Sequence, residues 1–153
     1  MRRCLWQSVA AACMLIAAAA AAWGYQQHHD ATHSQNRASA ITRVLDSPDA
    51  STVTGAIGTS GHATLIYSKN RQRLVLIGHD IPAPPAGKTY QLWMIDPAGT
   101  ATSAGLFTPN SSGSVLVQAS GNLADTAQMG VSVEPAGGSK QPTPGAIIAH
   151  MKI

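Results

Sequence analysis

Cysteine is nearly missing from this chain of 153 residues, and both copies lie close to the amino terminus. Cys4 and Cys13 fall within an apolar run, so the rest of the sequence contains no thiol. A disulfide framework and a thiolate metal centre are therefore excluded beyond that run. The same absence excludes a blue-copper site, which requires a cysteine ligand. We expect the folded part of the chain to be stable through packing alone.

Charge is also scarce, since charged residues make up 11% of the chain and Glu134 is the single glutamate. Eight basic and seven acidic residues remain when Arg2 and Arg3 are set aside, so the bulk of the chain is close to neutral. No basic stripe interleaves with aromatic residues, which argues against a nucleic-acid partner. Paired carboxylates for a hydrolase have little support, and no nucleophile elbow, zinc-protease motif or phosphate-binding loop occurs. We interpret the protein as a non-enzyme without a cofactor or small-molecule substrate.

Histidine is the remaining candidate metal ligand. His29 and His33 have the i, i+4 spacing that can share a metal ion. Nothing around them supplies a supporting scaffold, so we favour a solvated, histidine-rich tether. Three further histidines are scattered singly and are interpreted as surface or strand-end residues rather than ligands: His62, His79 and His150. We therefore predict no metal site.

One long apolar run stands near the amino terminus. Residues 4–23 carry no charge, and as a helix they would span about 30 Å, the thickness of the hydrocarbon core of a bilayer. Trp6 and Trp23 lie near its ends, where aromatic belts form, and Arg2 and Arg3 favour a cytoplasmic amino terminus. We predict a single-pass protein of the cell membrane. Its cytoplasmic stub is 1–3, and its transmembrane helix or uncleaved signal anchor is 4–23. A polar juxtamembrane tether (24–51) then leads to an extracytoplasmic domain (52–153).

A cleaved secretory signal is the alternative interpretation of the same run. Ala20, Ala21 and Ala22 offer a small-residue cleavage site after a positively charged start. Cleavage would release a secreted or cell-envelope binding module. The apolar run is longer than the core of a usual signal peptide, so we favour the anchor.

The remainder of the chain is rich in short β-type runs separated by turn residues. This pattern predicts an all-β fold, an antiparallel β-sandwich of seven or eight strands. The candidate strands are 53–57, 62–67, 74–77, 90–95, 101–107, 114–118, 128–134 and 146–151.

The run 90–95 is apolar on both of its faces, which is typical of a central strand. Strand alternation places Leu92 on one face and Trp93 on the other. We expect Trp93 to anchor the core rather than to stack on a ligand.

Pro135 closes the seventh run, and Pro142 and Pro144 stiffen the loop that follows it. Gly137 and Gly138 supply backbone conformations that other residues resist. Alternation directs Glu134 outward. We expect its carboxylate to accept hydrogen bonds from backbone amides of the turn at 137–139 and so to lock the loop. An exposed contact for a protein partner is the alternative.

Two segments carry a resemblance to a known family, Tyr90-Gln-Leu-Trp-Met-Ile-Asp96 and Val133-Glu-Pro-Ala-Gly-Gly-Ser-Lys-Gln-Pro-Thr143. With shorter runs at 44–49, 85–90 and 104–107, they resemble the extracytoplasmic C-terminal domain of anti-sigma-K factors over about 41–151. The resemblance implies an all-β outer domain. Its motif, which we interpret as structural, comprises Tyr90, Gln91, Leu92, Trp93, Gly105, Glu134, Pro135, Gly137, Gly138, Ser139 and Pro142.

The resemblance also implies a role in signalling from the envelope to transcription. Members of the family hold a sigma factor inside the cell, cross the membrane once and are cut by an outer protease. Only Met1, Arg2 and Arg3 precede the apolar run, so we expect this chain not to bind a sigma factor by itself. Expected partners are the plasma membrane, a separate anti-sigma or sigma polypeptide and an envelope protease. A start codon further upstream, or reuse of the domain without its transcriptional role, would also account for the missing segment.

Overall fold

Eight strands make up the fold in a computed structural model, which describes Thr42, Val44 and residues 46–153. The strands are β1 (Ser51–Ile57), β2 (Gly61–Ser68), β3 (Arg73–His79), β4 (Lys88–Ile95), β5 (Ala101–Phe107), β6 (Val115–Ser120), β7 (Gln128–Pro135) and β8 (Ile147–Lys152). The helix predicted over 4–23 lies outside the described residues. Within the described part, no helix is both long enough and apolar enough to cross a bilayer.

The strands form two antiparallel four-stranded sheets. Sheet one has the order β1-β2-β3-β6, and sheet two has the order β5-β4-β7-β8. The predicted all-β, antiparallel fold is therefore confirmed, with eight strands. The strand ends differ by a few residues from those predicted, because ladder hydrogen bonds extend beyond the apolar runs.

The hydrophobic core lies between the inner faces of the two sheets. Sheet one contributes Leu65 and Leu76, and sheet two contributes Leu92, Met129 and Val131, all fully buried. Each of these residues alternates with neighbours that point to the outer face of its sheet. The two sheets therefore pack as the sandwich that the alternation predicts.

Strand β4 is central in sheet two, as the sequence indicates. The prediction that Trp93 is a buried packing residue on the face opposite Leu92 agrees with the structure. Its side chain is 0% exposed, yet it lies in a separate cluster with Ile95 and Ala101, away from the core between the sheets. Because successive side chains of a strand point to opposite faces, Leu92 faces the core and Trp93 faces the outer side of sheet two.

The outer face of sheet one also carries an apolar cluster. Val44, only 2% exposed, packs against Ile66 and Val75, with Ile77 and Leu116 at the edge of the cluster. The segment that precedes β1 thus covers part of this face and shields apolar side chains that would otherwise meet water.

Candidate functional site

Glu134 is a buried carboxylate near the end of β7. Its side chain is 0% exposed. An isolated buried carboxylate is costly, because the interior cannot replace the hydration of the charge. The fold therefore tolerates the buried carboxylate only if hydrogen bonds from neighbouring groups replace its hydration.

Four hydrogen bonds converge on the two carboxylate oxygens. Oε1 accepts from Ser132 Oγ at 2.7 Å and from the Thr143 backbone amide at 2.9 Å. Oε2 accepts from Ser139 Oγ at 2.7 Å and also from Thr143 Oγ1. All four donors are neutral, so hydroxyls and one amide take the place of water and no cation among the described residues pairs with the charge.

The network continues from Glu134 to the buried indole of Trp93. Trp93 Nε1 donates to Ser132 Oγ at 2.8 Å, and the same hydroxyl donates to Glu134. A buried indole N–H needs a partner, and this serine supplies it. The Ser132 hydroxyl thus links Trp93, on the outer face of sheet two, to the Glu134 carboxylate through two hydrogen bonds.

Gln91 holds the same loop from the neighbouring strand β4. Its Oε1 accepts from the Ser139 amide at 2.8 Å, and its Nε2 donates to the Ser139 carbonyl at 3.0 Å. Nε2 also donates to Ser103 Oγ at 2.8 Å on β5. Ser139 is therefore fixed through its backbone by Gln91 and through its side chain by Glu134.

The pKa of Glu134 reflects this balance. Burial raises the pKa of the carboxyl, but the hydrogen bonds from Ser132, Thr143 and Ser139 outweigh burial and lower the pKa to about 2. The group is consequently a fixed anion at neutral pH. This protonation state suits the locking of a loop better than proton transfer, which requires a pKa near the working pH.

Two adjacent glycines of the loop have different roles. Gly138 has a φ of +77°, and a Cβ placed there would lie 2.8 Å from Leu106 Cδ2 and 3.0 Å from Gln91 Oε1. Gly137 has open space around it. The close approach of the loop to β5 therefore requires glycine at position 138.

Gly105 marks an irregularity in β5 beside this loop. The pairing of β4 with β5 shifts between Leu92 and Trp93, where Leu92 pairs with Gly105 and Trp93 pairs with Ser103. Gly105 has a φ of +135°, a conformation that other residues resist. Leu106, which follows it, is 44% exposed and lies next to the position of Gly138.

The structure gathers some of the motif residues that the sequence singled out and separates others. Gln91, Trp93, Glu134, Gly138 and Ser139 lie together at the loop. Tyr90 and Leu92 face the core instead, where Tyr90 stacks on Phe107 with ring centroids 5.5 Å apart. Pro135 ends β7, and Gly137 and Pro142 lie in the loop but are not among the hydrogen-bond donors to the carboxylate.

The expected partners of Glu134 are wrong in detail. The carboxylate accepts from three hydroxyls and the Thr143 amide rather than from amides of residues 137–139, and the Ser139 amide binds Gln91. Ser132 and Thr143 were not identified from the sequence. For Ser132 a signal was present, since it lies two residues before Glu134 and so shares its face of the strand.

A second carboxylate cluster lies where the chain enters β1. Asp49 Oδ1 accepts from Ser68 Oγ at 2.7 Å and from Ser47 Oγ, and its Oδ2 accepts from the Asn70 amide at 2.8 Å. The hydrogen bond from Asn70, with those from Ser47 and Ser68, holds the pKa of Asp49 well below its usual range. The cluster fastens the entering segment to the turn between β2 and β3.

Chemically, both clusters are hydrogen-bonded anions that fix loops. Within residues 46–153, Thr42 and Val44, every buried side-chain nitrogen or oxygen has a partner, and no group of three or more potential ligands is arranged for a metal ion. The fold and the site define a β-sandwich in which a buried carboxylate locks a surface loop.

Comparison with known proteins identifies the family. The sequence profile described as "Anti-sigma-K factor rskA, C-terminal" matches residues 6–148. The chain therefore belongs to the family of anti-sigma-K factor C-terminal domains, and the resemblance inferred from the two motif segments is confirmed.

Curated relatives agree with this assignment. An uncharacterized protein in the phr 5' region of Streptomyces griseus is 36% identical over 125 residues, covering 79% of this chain and 52% of that protein. The anti-sigma-K factor RskA of Mycobacterium ulcerans is 35% identical over 111 residues, covering 72% of this chain and 47% of that protein. RskA of Mycobacterium tuberculosis is 31% identical over 116 residues, again covering 72% and 47%. The chain thus spans about half the length of these relatives, and no solved structure matches it.

Proposed function

We propose that this protein is a membrane-anchored regulatory domain of the anti-sigma-factor type, displayed on the outer side of the plasma membrane. The observation that carries the proposal is the family match over 6–148, which takes in residues 6–23 of the apolar run together with most of the sandwich. Arg2 and Arg3 before that segment favour a cytoplasmic amino terminus. The domain would act in signalling from the envelope to transcription.

We propose that sigma-factor binding belongs to a region that the relatives have beyond the part similar to this chain. Relatives named anti-sigma-K factor are about twice as long as the matched region, since this chain covers 47% of the Mycobacterium ulcerans protein. A separate anti-sigma or sigma polypeptide would meet the chain at the inner membrane surface. An envelope protease acting on the tether would couple the outer domain to release of that partner.

The role proposed for the sandwich is regulatory rather than catalytic. Both oxygens of Glu134 are occupied by hydrogen bonds within the loop, and the lowered pKa keeps the group charged. We interpret the motif residues around it as a lock that gives the outer face of sheet two a fixed shape. A fixed surface is what a regulatory contact requires.

Reporter fusions after Ile153 test the membrane topology. Alkaline phosphatase, which is active only outside the cytoplasm, should be active in the membrane fraction, and a fluorescent protein that folds only in the cytoplasm should stay dark. Replacing both Arg2 and Arg3 with Glu should reduce the phosphatase signal, because the positive charges orient the helix. An inactive phosphatase fusion together with a fluorescent-protein fusion that fluoresces would place the domain in the cytoplasm and reject the proposal.

A secreted binding module is the second candidate, and Ala20, Ala21 and Ala22 favour it as a cleavage site. Intact-mass measurement of the mature protein separates the two functions. A soluble chain beginning near Trp23 supports secretion. A membrane-bound chain that retains Arg2 and Arg3 supports the anchor.

A further inference from the structure

We propose that His62 and His79 together form a two-histidine binding site for a divalent transition-metal ion, with Cu²⁺ preferred. The observation that carries the proposal is the strand register, in which His62 on β2 pairs directly with His79 on β3.

The pairing brings the two imidazoles to the same face of sheet one. Residues directly opposite each other on antiparallel strands have Cβ atoms about 4.5–5.5 Å apart and point to the same side. The neighbouring residue Ala63 faces the core, so alternation directs His62 outward, and His62 and His79 are both exposed. Two rings rooted at this separation can converge on one ion at the usual metal–nitrogen distance of about 2.0–2.1 Å.

Both imidazoles are free to bind. Neither ring takes part in a hydrogen bond or an ion pair with any residue of the described part. The neighbouring residues Ser60 and Asp80 form a hydrogen bond with each other, in which Ser60 Oγ donates to the Asp80 carbonyl at 3.3 Å. A ring that is not committed to a protein partner keeps both nitrogens available to a ligand. Binding therefore does not require a hydrogen bond or ion pair with the described residues to break.

The surroundings leave room for an ion and its water. The two histidines line an open depression together with Thr54, Gly55 and Thr64. These neighbours are small and uncharged, and neither lysine nor arginine is among the residues that line the depression. Among the described residues, no lysine or arginine lining the depression repels the ion at close range.

The ligand set defines the type of site. Imidazole nitrogen suits Cu²⁺, Ni²⁺ and Zn²⁺, and affinity for such donors is greatest for Cu²⁺ along the first-row series. No third histidine, cysteine or carboxylate completes a cluster in the part of the chain that the structure describes. The remaining coordination positions are left to water or to a donor from another molecule, so the site is open and exchangeable rather than structural.

The test is a titration of the full chain, purified without a histidine tag, with Cu²⁺. Candidate ligands near the amino terminus are first replaced to give a background protein: His28, His29 and His33 by Asn, and Cys4 and Cys13 by Ser. Calorimetry should give one ion per background chain, and electron paramagnetic resonance should show nitrogen ligation. The ion should also raise the melting temperature of the background protein, because it binds the folded state.

Single-residue variants of the background identify the ligands. His62→Asn and His79→Asn should each weaken Cu²⁺ binding by at least about tenfold, a typical lower bound for loss of a group that supports a metal site. His150→Asn is the matched control, since His150 is exposed on β8 and pairs with Gly130 instead of another histidine. It should bind as the background protein does.

The metal-free variants should melt at the background temperature, because both side chains are exposed and form no hydrogen bond or ion pair with the described residues. Unchanged Cu²⁺ affinity in both His62→Asn and His79→Asn would overturn the proposal. An equal loss of affinity in His150→Asn would do the same, and so would a background protein that binds no ion.

Discussion

At the scale of single residues, the main feature is a buried anion that has no counter-cation among the residues that the structure describes. Glu134 is surrounded by Ser132, Ser139 and Thr143, whose donors occupy both carboxylate oxygens. Hydrogen bonds to a charged acceptor are stronger than neutral ones, and this offsets the loss of hydration. The carboxylate consequently stabilises the loop only while its donors stay in place.

Glu134→Gln tests the charge while keeping the shape of the side chain. In the wild type, three hydroxyls donate hydrogen bonds to the carboxylate. The NH₂ group of glutamine would instead face such hydroxyls with two hydrogens of its own, so donors would meet donors. We expect the free energy of unfolding to fall by about 2–4 kcal/mol, as expected when a buried charged network is broken. Thermal unfolding should show a drop of about 4–8 °C for each kcal/mol in a domain of this size.

Asp80→Asn is the matched control for that variant. Asp80 is exposed, and asparagine tolerates its φ of +55°. The control also removes one carboxylate charge, but it should change stability by no more than about 0.5 kcal/mol. Equal effects of the two variants would contradict the role assigned to Glu134.

Acid should weaken the fold through the same residue. The pKa of Glu134 is lowered from 4.5 to about 2 on folding, so its stabilising contribution is complete above about pH 4.5 and is lost as the pH falls toward 2. Denaturant unfolding of the wild type should therefore lose stability across that window. The stability difference between the wild type and Glu134→Gln should shrink there, and a difference that stays constant with pH would count against the assignment.

At the scale of elements, the loop between β7 and β8 depends on one glycine and not on its neighbour. Gly138→Ala should destabilise the protein by about 1–3 kcal/mol, because alanine resists a positive φ and its Cβ would collide with Leu106. Gly137→Ala, with open space and no positive φ, should be neutral or slightly stabilising. Melting temperatures of the two variants provide the measurement, and similar values would refute the distinction.

The elements themselves are largely predictable from local patterns. Alternation and turn residues identified all eight strands, and apolar residues on both faces placed β4 in the centre of its sheet. The surroundings of Trp93 were not predictable in the same way. Alternation directs Trp93 to the outer face of sheet two, but only the structure shows Ala101 of β5 packed beside it and Gln141 of the loop donating to the Ala101 carbonyl.

At the scale of the whole molecule, the segment before β1 is fastened to the sandwich at two points. Val44 is buried against Ile66 and Val75, and Asp49 binds Ser68 and the Asn70 amide. These contacts hold the segment immediately before β1 against sheet one.

Asp49→Asn should loosen this attachment. The uncharged side chain is a weaker acceptor for Ser68 Oγ and for the Asn70 amide, so the Asn70 amide should exchange its hydrogen faster. Hydrogen exchange followed by mass spectrometry on the full chain gives the measurement. Asp46→Asn, at an exposed position in the same segment, should leave the exchange of Asn70 unchanged, and the prediction fails if both variants behave alike.

Local sequence determined the strands, the central position of β4 and the presence of a locked loop after Glu134, because these depend on alternation and on residues close together in the chain. Only the tertiary structure decided three contacts between distant residues. These are the cross-strand pairing of His62 with His79, the hydrogen bond from Ser68 to Asp49 and the hydrogen bonds between Gln91 and Ser139. Each of these contacts joins residues that are far apart in sequence. Strand register and sheet order bring them together, and neither property is encoded by the neighbours of a single residue.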